Sequence, residues 1–322
     1  MKKIIRNLIA LAVIFLFCCQ NLAAQPAPDG LPSQLIPSES GPWLHPVWSP
    51  DGQSLAFTSG KYLGVWVASA DGSNVRQISD ADGAGFGFSW SADSRTILMR
   101  PSEFRELRRF QSVELINVET GEVKVLVEPS RGIKSLPQWA HRDRHVAVIL
   151  NSELQLLESG KAPLGHPVEG PENPVVYPVD GKILRSIAGK NEPVVLADFG
   201  EKTILNIRFS NDGNRLAFQV ATQGLYVMNL DGSGLKHLGS GERPSWAPGG
   251  KYLVVMKTTD DGHMVTSGDL YAIDIESGAE YNLTPHTEIM ALSPSVSPDG
   301  KRIAFENPED GGIYVLELNP GF

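Results

Sequence analysis

Apolar and polar residues alternate along this chain in short bursts. Runs such as Ser54-Leu55-Ala56-Phe57, Arg215-Leu216-Ala217-Phe218 and Arg302-Ile303-Ala304-Phe305 are bounded by Gly, Pro, Asn or Asp. That length and punctuation predict strands, and no segment carries the 3.6-residue period of an amphipathic helix.

The strands recur in units. Six openers are followed by a turn and an apolar run: Trp48-Ser-Pro-Asp-Gly, Trp90-Ser-Ala-Asp-Ser, Trp139-Ala-His-Arg-Asp, Phe209-Ser-Asn-Asp-Gly, Trp246-Ala-Pro-Gly-Gly and Val296-Ser-Pro-Asp-Gly. Each unit predicts four strands, a to d, which in the first fall at 45–49, 54–58, 65–69 and 75–78. The links 50–52 and 70–73 contain Asp-Gly, where Gly takes positive φ freely and Asp bonds its own backbone.

Openers are separated by 42, 49, 70, 37 and 50 residues, so the long gap hides something. Within it, 154–157 with Ser159-Gly160 reads as one c–d hairpin. Residues 182–188 with Gly189-Lys190-Asn191, ending in Val194-Val195-Leu196, read as another. Seven hairpins against six openers leave two readings. Either seven blades include one with a poor inner strand, or six blades carry an insertion between about 159 and 181, and the hairpin count favours seven.

The expected fold is therefore all-β, a β-propeller of six or seven four-stranded blades. It occupies residues 31–322 as one domain, after a signal segment (1–24) and a short linker (25–30). The last unit stops at its third strand, 313–318, while 33–36 precedes the first opener with no partner of its own. Residues 33–36 are expected to complete the last blade and close the ring, hiding an exposed sheet edge.

Residues 1–24 read as a secretory signal: Lys2, Lys3 and Arg6, an apolar stretch over 8–17, then Leu22-Ala23-Ala24 before Gln25. The stretch is too short to favour a membrane span. Its removal leaves 25 cations against 37 acids and takes the net charge from −9 to −12. That balance argues against nucleic-acid binding and against adhesion to anionic lipid. The cysteines, Cys18 and Cys19, go with the signal, which excludes a disulfide, a thiolate nucleophile and a cysteine metal site. The alternative is a lipoprotein acylated at Cys18 or Cys19, against which the bulky Phe15-Leu16-Phe17 stands. Membrane association is expected only through such an anchor, and a monomer is expected in solution.

Trp-Ser-Pro-Asp-Gly, an Ile/Leu-Ala-Phe run, then Tyr-Val and Asp-Gly resemble the WD-like repeat of the TolB family, the periplasmic propeller of the Tol envelope system. Related repeats occur in the propellers of prolyl-oligopeptidase-like enzymes. The resemblance covers most of 43–318 and is strongest at 48–79, 209–238 and 296–316. It departs from TolB in having only about twenty residues between the signal and the first blade. It departs from the peptidases in lacking a hydrolase segment after the last blade and any Gly-x-Ser-x-Gly elbow. The resemblance implies a stand-alone exported propeller and no particular partner; the preferred expectation is a non-enzymatic module that binds a protein or peptide in the envelope, with no catalytic residue, metal or cofactor assigned.

With strands running alternately up and down, the a–b and c–d turns share one face, and the b–c and d–a links share the other. The links 59–64, 101–111, 258–268 and 306–312, with 80–87, 129–136 and 285–293, are long and chemically varied. Such loops carry binding more often than tight turns.

Three sets of residues are candidates there. Arg105, Arg108 and Arg109, with Arg100, Arg131 and Lys134 near them, offer bidentate clamps for carboxylate or phosphate. The competing reading is a solvated loop paired locally with Glu103 and Glu106. The second set lies three residues before each opener: His45, Gly87, Leu136, Asn206, Arg243 and Ser293. Of these, His45, Asn206 and Arg243 are expected to converge on a polar ligand at the channel rim, against a plain water-facing rim layer.

The third set, His45, His263 and His286, lacks metal-ligand spacing. Asp80-Ala-Asp82-Gly83 is too short for a calcium loop. An enzyme acting on an acidic polysaccharide would need those histidines to meet with arginine and a metal, and a ligand-sensing propeller is a further alternative. The tryptophans recur at one repeat position and are expected to fill space between blades.

Overall fold

The computed structural model describes residues 25–38, 41–133, 135–161, 175–186, 192–285 and 287–319. The expected signal segment, Cys18, Cys19, Lys134, His286 and the stretch 162–174 lie outside them. The described residues form seven antiparallel sheets, with helix limited to two single 3₁₀ turns.

Blade 1 comprises Trp43–Trp48, Ser54–Ser59, Val65–Ser69 and Arg76–Ser79. Blade 2 comprises Ser89–Trp90, Thr96–Met99, Arg108–Asn117 and Val123–Ser130. Blade 5 (Ile204–Phe209, Arg215–Val220, Gly224–Asn229, Lys236–Gly239) repeats the order. So does blade 6 (Glu242–Trp246, Tyr252–Asp260, Val265–Asp274, Glu280–Asn282).

Blade 3 shows strands a to c at Gln138–Ala140, His145–Leu150 and Glu153–Glu158. Blade 4 shows b to d at Val175–Val179, Lys182–Ser186 and Val194–Asp198, and the place of its inner strand falls outside the described residues. Seven blades thus replace the alternative of six with an insertion. The strand Val175–Val179 is not apparent from sequence because Pro178 interrupts its apolar run. Proline lacks the N–H of a ladder residue and normally demotes such a run.

The N-terminal segment closes the ring as expected. Ser33–Ile36 pairs antiparallel with Ile313–Glu317 of blade 7, beside Arg302–Glu306 and Leu292–Val296. The latch extends into the expected linker, where Pro28 bridges Leu318 and the Asp29 N–H donates to the Glu317 carbonyl at 2.8 Å. Ile36 is buried among Trp43, Leu55, Phe57, Ala304 and Ile313.

Seven apolar clusters hold the ring, each joining two neighbouring blades. Phe57, Phe218 and Phe305, the last residues of the repeated apolar runs, are fully buried. The tryptophans act as staples. Trp90, Trp139 and Trp246 donate their indole N–H to the Val47, Ser89 and Arg208 carbonyls of the preceding blade or repeat, at 3.1, 3.3 and 3.1 Å. Arg302 lies over Trp48 and Arg215 over Trp246, at 4.5 and 5.3 Å from the ring centres. These cation–π contacts add to the apolar packing.

The Ser-x-Asp that follows the opener is a clasp. Ser49, Ser91 and Ser297 donate to Asp51, Asp93 and Asp299 at 2.6 Å, and Ser210 donates to Asp212 at 2.5 Å. Each serine oxygen in turn accepts the N–H that starts strand b, from Ser54, Thr96, Arg302 or Arg215, at 3.0 Å. The most conspicuous residues of the repeat are thereby accounted for by folding.

Candidate functional site

The b–c links of blades 2 and 6 are not open loops. Ser102–Arg105 pairs with the start of Arg108–Asn117, and the ladder of blade 6 continues to the pair Asp260–Val265. Both make hairpins that extend their blades on the face of the b–c and d–a links. Paired side chains at Phe104–Arg109, Thr259–Ser267 and Asp260–Val265 continue strand chemistry through segments whose sequence reads as polar loop. The blade-2 turn, Glu106-Leu107, has positive φ at both residues without glycine. That absence hides it from a turn search.

The hairpin tips expose large apolar side chains: Leu107 at 99%, Phe104 at 64% and Met264 at 66%. A groove lies on each side of the blade-2 hairpin. One, of about 450 Å³, is lined by Leu107, Arg108, Arg109, Gln111, Arg131 and Ile133. The other, of about 320 Å³, is lined by Lys61, Tyr62, Gly83, Phe86 and Arg109.

The arginines divide. Arg105 forms an ion pair with Glu103, as the local-pairing reading has it, and lies over Phe110 at 5.0 Å. Arg100 donates to the Ser135 carbonyl at 3.1 Å, and burial and then Arg109 draw its pKa down to about 10. It bridges blades and leaves the clamp. Arg109 donates to Ser102 at 2.9 Å while lining both grooves, and Arg108 and Arg131 line the larger one.

At the channel mouth, the residues three before the openers share a backbone feature. His45, Asn206, Arg243 and Ser293 have φ of 57°, 52°, 49° and 53°, each within a β-bulge of strand a. Gly87 has φ of 72°, and a Cβ there would sit 2.5 Å from Leu136, its counterpart in blade 3. Non-glycine residues rarely adopt this region, so the surrounding structure must hold them there.

The hold comes from the neighbouring blade. Gln219 Oε1 accepts the Arg243 N–H at 3.0 Å, Met256 Sδ accepts the Ser293 N–H at 3.4 Å, and Glu306 accepts the His45 N–H. These three acceptors occupy one repeat position of strand b. Gln219 also accepts from the Asn206 amide, and Glu306 from the Ser293 hydroxyl at 3.0 Å.

Two of the three expected rim residues meet directly. Arg243 Nη1 lies 3.2 Å from His45 Nδ1, and Asn206 joins them through Gln219. Burial, then Arg208 and Arg243, push the His45 pKa down to about 3. The imidazole is therefore neutral at pH 7 with its proton on Nε2, because Arg243 has only donors to offer Nδ1. Burial raises the Glu306 carboxyl, against the pull of the His45 N–H, Arg243 and Ser293.

Arg208 escapes a reading confined to the rim. It lines the channel two residues past Asn206, enclosed by the blades yet with its surface open to channel solvent. Burial and then Arg243 lower its pKa. At the same repeat position Ser245 and Ser295 accept the N–H of the next opener, Val296 or Trp48, at 3.0 and 3.2 Å. A charged residue in this layer was the available signal. Gln219 and Glu306 were hidden because each follows the apolar run of its strand directly.

His263 is exposed at the blade-6 hairpin tip, apart from the enclosed His45. Among the described residues no three of His, Cys, Asp and Glu are grouped to hold a metal.

Seven blades closed by an N-terminal strand make this chain a β-propeller. No protein-family model matches it. It is 30% identical over 148 residues to the uncharacterized peptidase YuxL of Bacillus subtilis, covering 41% of this chain and 22% of that protein. It is 30% identical over 120 residues to a TolB homolog of Chlorobium luteolum, covering 35% of this chain and 26% of the relative. The chain thus matches about a quarter of the length of these relatives.

Among solved structures, the β-propeller domain of Cps50 (Swd1) from Myceliophteria thermophila superposes with a TM-score of 0.62 at 13% identity, over 89% of this chain and 100% of that one. TolB from Acinetobacter baumannii gives 0.51 at 14%, over 90% and 67%. At such identities the likeness concerns the fold.

Proposed function

We propose that this chain is a non-enzymatic propeller that binds a protein or peptide in the cell envelope. The partner docks on the face bearing the blade-2 and blade-6 hairpins. The observation that carries this reading is the fully exposed Leu107 between Arg105 and Arg108 at the tip of a projecting hairpin. An apolar knob set among cations suits a partner surface with an apolar pocket and an acidic rim, because complementary charge steers and orients such docking. The relationship to a TolB homolog and the signal-like residues 1–24 support an exported location.

Capture from an envelope fraction tests the proposal. The wild-type chain retains a partner, and the Arg105→Glu, Arg108→Glu, Arg109→Glu triple variant loses it. Equal capture by both removes the arginine face from the reading.

A further inference from the structure

Arg208 and Arg243 stand on the inner strands of neighbouring blades, where the Trp246 indole donates to the Arg208 carbonyl at 3.1 Å and Arg243 reaches His45 at the channel mouth. Among the described residues neither makes an ion pair with a carboxylate, although acids outnumber cations 37 to 28 in the chain. Glu306 acts on Arg243, and its oxygens already accept the His45 N–H and the Ser293 hydroxyl.

The pair is built rather than incidental. Arg243 is fixed by a left-handed backbone, by the Gln219 bond to its N–H and by its guanidinium contact with His45 Nδ1. Arg208 stands where the next two blades use small serines, so folding of the repeat does not call for it. Its guanidinium bonds the Ile207 carbonyl, its own chain neighbour, at 3.2 Å. Two like charges offset only by a carboxylate that is already engaged destabilise a fold, and such arrangements persist where a ligand relieves them.

We infer that the channel mouth is a binding site for a carboxylate group, gripped between the Arg208 and Arg243 guanidiniums. The planar fork of each guanidinium matches the two oxygens of a carboxylate, and an enclosed channel strengthens that attraction relative to open water. His45 adds a donor, because its Nδ1 is engaged by Arg243 and its other ring nitrogen carries the proton. The site lies at the channel mouth rather than on the projecting hairpins, so its test does not depend on the docking proposed above.

Calorimetric titration of the full chain tests it with four probes: succinate, inorganic phosphate, a short peptide with a free C-terminal carboxylate, and the same peptide amidated. The inference expects succinate or the free-acid peptide to bind, and the amidated peptide to bind at least about tenfold more weakly than the free acid. Arg208→Gln and Arg243→Gln each weaken binding about tenfold or more, while Arg95→Gln, on the opposite face, leaves it unchanged. Tighter binding of the peptide assigns the carboxylate to a chain terminus, and tighter binding of succinate assigns it to a free small acid.

Melting temperature supplies the second readout. Arg208→Gln raises it while abolishing binding, the reverse of what a structural residue does. If Arg243→Gln fails to fold, Arg208→Gln carries the test alone. Absence of binding by any probe at millimolar concentration, or binding that survives Arg208→Gln, overturns the inference. Tighter binding of inorganic phosphate than of any carboxylate overturns the ligand class.

Discussion

Arg243 Nη1 lies 3.2 Å from His45 Nδ1, linking the inner strands of blades 6 and 1 across the blade between them. Burial and the two arginines hold the imidazole neutral far below its ordinary range, down to about 3. Carbon-bound ring proton shifts of His45 are expected to stay flat between pH 8 and pH 5. A midpoint near 6.5 would show that the ring is solvated and the contact absent.

The same contact sets a sign for stability. A base whose folded pKa is depressed takes up its proton only on unfolding, so stability falls as pH drops from about 6.5 toward the folded value. His45→Gln should therefore flatten the stability profile between pH 6.5 and 4. Urea titrations across that range measure it, and an unchanged slope contradicts the assignment.

The Ser-x-Asp clasps titrate lower. For Asp212 and Asp299 the serine hydroxyl is the main cause of a depressed pKa, working against partial burial; for Asp51 burial is the largest effect but is outweighed by Ser49 and the Gln53 N–H. A carboxylate with a depressed folded pKa stabilises above its unfolded value of about 3.9, and that stability is lost as pH falls below it. Asp299→Ala is expected to cost roughly 0.5–1 kcal/mol at pH 7, discounted for solvent exposure, and less than half of that at pH 3. Glu306 and Asp143, raised by burial, act in the opposite sense, so the comparison is made between variant and wild type at each pH.

How much of this was legible without coordinates differs by element. The six openers and the Asp-Gly turns mark the propeller and narrow it to six or seven blades because tight turns constrain residue type strongly, and Ser33–Ile36 is legible because the last unit is one strand short. The projecting hairpins are not, since their turn Glu106-Leu107 lacks glycine and their exposed strands have no apolar face to alternate. At the site, His45, Asn206 and Arg243 can be named from their shared offset to the opener. Gln219, Glu306 and Arg208 cannot be placed there by that offset, because cross-blade bonds join residues far apart in the chain.

The closing latch is accessible to a single substitution. Ile36 is 2% exposed and packs on Trp43, Phe57 and Ile313 across the seam between blades 7 and 1. Ile36→Ala is expected to lower stability by about 2–5 kcal/mol through transfer and cavity terms. Deletion of residues 31–37 should lower the melting temperature sharply. An unaltered melting temperature in the deletion would mean that the ring closes without this strand.

The account rests most heavily on which face meets a partner. A photo-crosslinking residue placed at Leu107 tests this directly against one placed at Lys301, an exposed turn position on the opposite face. The account predicts a specific adduct in the envelope fraction from position 107, lost when Arg108 and Arg109 are changed to Glu, and none from position 301. Adducts from 301 alone would contradict it and transfer the binding surface to the Asp-Gly turns.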